Sequence, residues 1–207
     1  MEKEHVYEQT YNDYLSRIAE IDLKFAADKL ELQMDGEDVL IPFFGTPYRV
    51  SPAEIAGPAG RQPHLSITVI LSKYLLMCPL VVPLGGNWMS FKDFKDAAPL
   101  TQSFLNTVTL PLAETFATRI TDLAHAAKKI GGYPPAEDFP YDLSLQFDAL
   151  SKVSLLLLFN DQDEEFPAQC SVLFEKRVEK LLDMECLAML GMILCEYLKK
   201  GDFRREE

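Results

Sequence analysis

Residues 140–176, PYDLSLQFDALSKVSLLLLFNDQDEEFPAQCSVLFEK, decide the fold. Leu143, Leu145 and Phe147 alternate with Asp142, Ser144, Gln146 and Asp148, and a period of two places all the apolar side chains on one face of a half-buried strand. Residues 153–159 differ. Leu155, Leu157 and Phe159 point one way and Leu156 and Leu158 the other, so this strand needs cover on both faces and belongs in the middle of a sheet. A helix layer on each side, or a helix and a second sheet, would supply it. In a third strand, residues 168–174, Cys170, Val172 and Phe174 oppose Gln169, Ser171 and Leu173. The connections at 149–152 and 160–167 are too short for a helical crossover, which makes the pairings antiparallel hairpins.

The wider composition suits an ordinary folded protein. The chain has 207 residues, 48% of them hydrophobic and 25% charged, enough for a real core without disulfide or metal staples. Thirty-two acidic residues against 20 basic ones give a formal charge of −12, which repels phosphate backbones and anionic lipid, so neither nucleic acid nor a membrane surface is expected as a partner. Cys78, Cys170, Cys186 and Cys195 form no CxxC pair and follow no signal peptide; they read as free thiols of a cytoplasmic protein. No metal site or cofactor is expected from them. The apolar run at 65–84 is broken by Lys73, Pro79 and Pro83, and the run at 186–195 is half the ~20 residues that a membrane span needs.

Upstream, Tyr7, Tyr11, Tyr14, Leu15, Ile18, Ile21 and Phe25 recur at helical spacing and predict one amphipathic helix over 5–28. Its tyrosines either pack on the core with their hydroxyls at the rim or form an aromatic docking face. Residues 30–34 and 39–44, joined by a turn containing Asp35 and Gly36, read as a hairpin, with Pro42 demanding an edge or a bulge and 48–51 adding a short third strand. Residues 54–63 are rich in Gly and Pro and read as loop. A helix is expected over 65–77 with His64 at its threshold, and a helix, or a short and a long one, over 99–130, with Pro111 in a first turn and Gly131 and Gly132 as the stop. Residues 133–140 form a stiff connector. The last helix runs over 183–199, capped by Asp183 and stopped by Gly201. The sum is a single α+β domain over 1–207, in which an antiparallel sheet, from the N-terminal hairpin and the 141–174 meander, is covered by long helices; whether the two strand groups share one sheet stays open.

No nucleophile-and-base set, phosphate loop or metal motif stands out. Two stretches carry chemical interest. Gly85 and Gly86 precede the only Trp, Trp88, with Phe91 nearby. They read either as a place where a flat ligand approaches the main chain or as a tight turn whose aromatics plug the core. The second stretch is the acidic turn, Asp161, Asp163, Glu164 and Glu165, followed by Phe166. Six carboxylate pairs at ~7 Å in water repel by about 0.6 kcal/mol each, and salt screens about half of that, so a solvated turn tolerates them without a metal.

DEEFPA at 163–168, LFE at 173–175 and the helix around Leu190 and Gly191 carry a family resemblance. So do Tyr74 to Leu76, Trp88 with Ser90 and Phe91, Phe104, Pro111 with Leu112, and Gly131 with Gly132. From about residue 48 to 199 the chain resembles an uncharacterised bacterial and archaeal family, domain of unknown function 3786, typical of anaerobes. Some members look fused to a cysteine-rich iron–sulfur domain like that of corrinoid proteins. The resemblance implies an anaerobe's cytoplasm and a corrinoid or iron–sulfur context; the cysteines of that cluster are missing here, and no catalytic residue comes with the family.

The favoured expectation is a non-enzymatic module that binds a small ligand or a protein partner through Gly85, Gly86, Trp88 and Phe91 or through Asp161, Asp163, Glu164, Glu165 and Phe166. One alternative is an enzyme using Asp163 or Glu164 as acid or base, which requires a pocket and a raised pKa. The other is an assembly subunit with an exposed apolar patch on the tyrosine helix.

Overall fold

The computed structural model describes residues 2–200, and side chains from residue 7 onward. At its centre lies a strand, β7 (Val153–Asn160), flanked by β6 (Leu143–Leu150) and β8 (Gln169–Glu175), all antiparallel. Residues 153–159 are buried throughout, as a run apolar on both faces requires. Register sets Leu155 between Phe147 and Phe174, and Leu157 between Leu145 and Val172, so the nine inward side chains of the three strands make one apolar face. The helices gather on that face. Leu156 and Leu158, on the opposite face, are buried too, flanked in the sheet by Gln146 and Leu173, and by Ser144 and Ser171.

A fourth strand, missed in the sequence, completes this sheet. β5 (Trp88–Ser90) pairs antiparallel with β8, giving the order β5-β8-β7-β6. The stretch expected to be a turn is therefore an edge strand, because Leu173 to Glu175 supply it with a ladder that no local pattern reveals.

The N-terminal strands form a separate sheet of β1 (Gln33–Asp35), β2 (Asp38–Phe43), β3 (Thr46–Val50) and β4 (Ile55–Ala56), in that order and antiparallel. Among the described residues there are thus two four-stranded sheets, joined at the Phe44 N–H, which donates to Ala149 O at 3.0 Å. Pro42 sits opposite Pro47, beyond the end of β1's pairing at Leu40, so its missing donor faces a locally unpaired edge. The expected first strand begins late: Leu30 closes a helix, and Glu31 at φ 55° turns the chain before β1. β4 falls within the expected loop.

The single helix expected over 5–28 is two, α1 (Glu2–Ile18) and α2 (Leu23–Leu30). Asp22 accepts a hydrogen bond from the Phe25 N–H at 3.0 Å and so caps a new helix, which changes the phase of the stripe and leaves Phe25 exposed. Tyr7 donates to Pro63 O at 2.7 Å, the Tyr11 hydroxyl accepts from the Ile55 N–H at 2.8 Å, and Tyr14 is buried: the tyrosines pack on the core. α3 (Leu65–Leu76) is capped by His64, whose Nδ1 accepts from the Ser66 N–H.

The region 99–130 breaks twice. α4 (Thr101–Phe104) passes through a π turn (Leu105–Thr109) into α5 (Leu110–Phe116), and Thr118 at φ 61° separates this winding from α6 (Ile120–Lys129). Pro111 does open α5, but the backbone ahead of it is already helical; the proline ring cannot sit beside the carbonyl four residues back, and the wider turn, in which Leu110 N–H donates to Leu105 O, removes that clash. Gly131 at φ 84° ends α6. α7 (Met184–Lys200) is capped by Asp183, which accepts from the Cys186 N–H at 2.9 Å; the expected stop, Gly201, lies outside the described residues. No helix among the described residues is long and apolar enough to cross a membrane.

Candidate partner-binding edge

β8 is seven residues long, yet β5 pairs with only Leu173, Phe174 and Glu175. After Ser90 the chain turns away into a short 3₁₀ turn at Phe91–Asp93, leaving the edge of β8 from Gln169 to Val172 without a strand beside it. A groove of about 250 Å³ lies there, lined by Ser90, Phe91, Leu105, Thr109, Cys170 and Val172 among others.

The floor of the groove is aromatic. Phe91 stacks on Phe104 with ring centroids 4.3 Å apart and planes within 4°, and both rings lean on Phe174. Gly191 of α7 makes room for Phe104: a Cβ there would stand 2.5 Å from its ring. The outer wall is the π turn, where Leu105 is 40% exposed.

The C-terminal end of β8 is held by an ion pair. Glu175 is only 6% exposed, and its Oε2 accepts from Arg177 Nε at 2.8 Å and Nη2 at 2.6 Å, while Oε1 accepts from the Gly86 N–H at 2.9 Å. Nearly closed to solvent, such a carboxylate requires these partners. The close approach that glycine permits at Gly85 is therefore taken by the chain's own Glu175, whereas Gly86, at φ 110°, faces open space. Trp88, half-buried, faces Glu175 across the ladder. Just ahead, the segment before Gly85 exposes Leu80, Val81 and Leu84, the last to 95%.

Ahead of the N-terminal end of β8 stands the acidic turn. Asp161 Oδ1 accepts from the Thr118 N–H at 2.6 Å, and Asp163 Oδ1 accepts from the Glu165 and Phe166 N–H groups at 2.8 and 2.7 Å. Hydrogen bonds from Phe166, then Glu165, hold the Asp163 carboxyl below the usual aspartate range. Asp163, Glu164 and Glu165 lie in open solvent, and Phe166 is 60% exposed. An acid or base for catalysis needs the opposite, a pocket and a raised pKa. The turn is rigid, charged and wet. Among the described residues no three His, Cys, Asp or Glu side chains group as a metal would require.

A larger hollow, about 620 Å³, opens beside Met77, Lys95, Lys180 and Asp183. Its Asp183 carboxylate is already used: it is paired with Lys73 and caps α7.

The sequence pointed to both ends of β8 and missed what joins them. Glu175, Arg177, the unpaired Cys170 to Val172 edge and the π turn carry no local signature beyond Pro111 and the strand alternation. Comparison with known proteins adds one match: the model of a family described as Domain of unknown function (DUF3786) covers residues 22–197, beginning earlier than the motifs near residue 48 suggest. No curated protein and no solved structure matches the chain.

Proposed function

Because the chain belongs to the DUF3786 family, whose description assigns no activity, we propose from its geometry that it is a non-enzymatic module that docks a protein partner along the edge of β8. The observation that carries this reading is the incomplete ladder: β5 covers three of the seven residues of β8, and beyond it Gln169 to Ser171 reach solvent while Val172 is buried. Magnitude favours a protein over a small molecule: pockets for drug-sized ligands run from about 300 Å³ upward, and the groove at this edge holds about 250 Å³. The exposed apolar side chains Leu105 and Phe166 flank the edge, and Leu84 extends the surface beyond β5. The family resemblance adds a setting, an anaerobe's cytoplasm alongside corrinoid or iron–sulfur proteins.

Selection of a random peptide library displayed on phage, followed by amide chemical-shift mapping of the enriched peptides on isotope-labelled protein, tests the proposal. Shifts centred on Ser90, Leu105 and residues 170–172 are expected. Enrichment of nothing, or shifts confined to another face, overturns it.

A further inference from the structure

Beyond the β8 edge, we infer that the hollow where the loop between β4 and α3 meets α1 binds a small aromatic carboxylate, held through Arg61 and His64. The hollow has about 550 Å³, within the range of about 300–1,000 Å³ for sites that take small ligands. Arg61, Gln62 and His64 line it together with Tyr7, Pro58 and Pro63. No carboxylate lines it, on a chain of net charge −12. The larger hollow beside Met77, by contrast, is lined by Asp96, Glu179, Asp183 and Glu185.

Two donors of the hollow are unspent. The other described arginines, Arg17, Arg49, Arg119 and Arg177, each pair with a carboxylate, whereas the Arg61 guanidinium has no partner among the described residues. His64 Nδ1 accepts from the Ser66 N–H, so the neutral ring carries its hydrogen on Nε2, a donor left over. Tyr7 is the reverse case: its hydroxyl donates to Pro63 O at 2.7 Å, which leaves its ring as the wall. The loop holds this arrangement ready. The Gly57 N–H donates to Arg61 O at 2.7 Å and closes residues 57–61 into one turn, while Pro58 and Pro63 fix φ on either side of Arg61. A backbone set in advance lowers the ordering cost of binding. The set then selects its ligand. A planar guanidinium grips both oxygens of a carboxylate, the Nε2–H of His64 adds a further hydrogen bond, and Tyr7 with the two prolines suits a flat apolar body.

The probe is benzoate, titrated against the isotope-labelled full chain beside benzamide, which has the same shape and no charge, and acetate, which lacks the ring. Expected are amide shifts centred on residues 57–64, with benzamide and acetate each weaker by at least about tenfold. Because the Arg61 side chain holds nothing else in the described structure, Arg61→Gln should keep the parent's urea midpoint and weaken benzoate by at least about tenfold. His64→Asn keeps a helix cap and removes the ring donor, so it should weaken benzoate about threefold to tenfold. Benzamide or acetate binding as well as benzoate, either variant binding as well as the parent, or shifts centred on another hollow overturns the proposal. So does the absence of shifts at about 20 mM benzoate, a concentration at which a ligand of so few atoms should already bind.

Discussion

A methyl group on Gly85 would stand 2.2 Å from Oε1 of Glu175. The carboxylate fills the space that glycine leaves, and the neighbouring Gly86 N–H donates to that same oxygen. The loop before β5 is thereby fastened to the end of β8, two segments 89 residues apart in the chain at this hydrogen bond. Gly85→Ala should therefore destabilise the protein by about 1–3 kcal/mol. Urea unfolding of the variant checks this, and an unchanged midpoint would show that the loop is free to shift.

Glu175→Gln keeps the size of the side chain and removes its charge, leaving Arg177, itself largely buried, without its counter-ion. A loss of about 2–4 kcal/mol is expected, near the range for breaking a buried pair. Arg177→Met in the same background should recover part of it, because the stranded charge is then gone too. The check is a double-mutant cycle by denaturant titration.

Gly191→Ala sets two effects against each other. Alanine favours helix over glycine by about 1 kcal/mol, but the new Cβ would lie 2.5 Å from the Phe104 ring, for a cost of about 1–3 kcal/mol. Net destabilisation is expected, together with a changed near-ultraviolet circular dichroism spectrum as the Phe91–Phe104 stack moves. A more stable variant with an unchanged spectrum would mean that the ring gives way freely.

Acid should loosen the junction of α3 with α7. Burial raises the Asp183 carboxyl, but the Lys73 ammonium and then the Cys186 N–H outweigh it, so the net shift is downward. A carboxyl lowered in the folded state stabilises above the ordinary aspartate value and loses that contribution as pH falls through the folded value, so the window lies below about pH 4. The pair is partly exposed, and the contribution is under about 1 kcal/mol. Asp183→Asn should flatten stability against pH below about 4, as followed by urea midpoints; an acid limb as steep as that of the parent would assign it to other carboxylates.

Cys186 and Cys195 are buried, and burial pushes both thiols up. Iodoacetamide at pH 8 should leave them unmodified in the folded chain and alkylate them in urea, as read by peptide mass mapping. Rapid labelling of either in the folded chain would contradict the packing of α7.

Local signals were legible where the physics is local. The doubly apolar run of β7, the caps at His64 and Asp183 and the stop at Gly131 each follow from residues within a few positions of one another, because side-chain periodicity and capping bonds act over that range. The break between α1 and α2 was hidden although Asp22 is a good cap, since the apolar stripe runs through it without a pause.

What the sequence determined by itself is the patterning of β6, β7 and β8, the antiparallel sense of the hairpins that join them and two chemically unusual stretches around Trp88 and Asp163. What only the tertiary structure decided is that both stretches lie at the ends of one strand, that Trp88 belongs to a sheet, and that β5 pairs with only three residues of β8. Those outcomes depend on which distant backbone satisfies which N–H and C=O. A ladder hydrogen bond is indifferent to side-chain identity, so the pattern of residues records which face of a strand is buried and not which strand lies beside it.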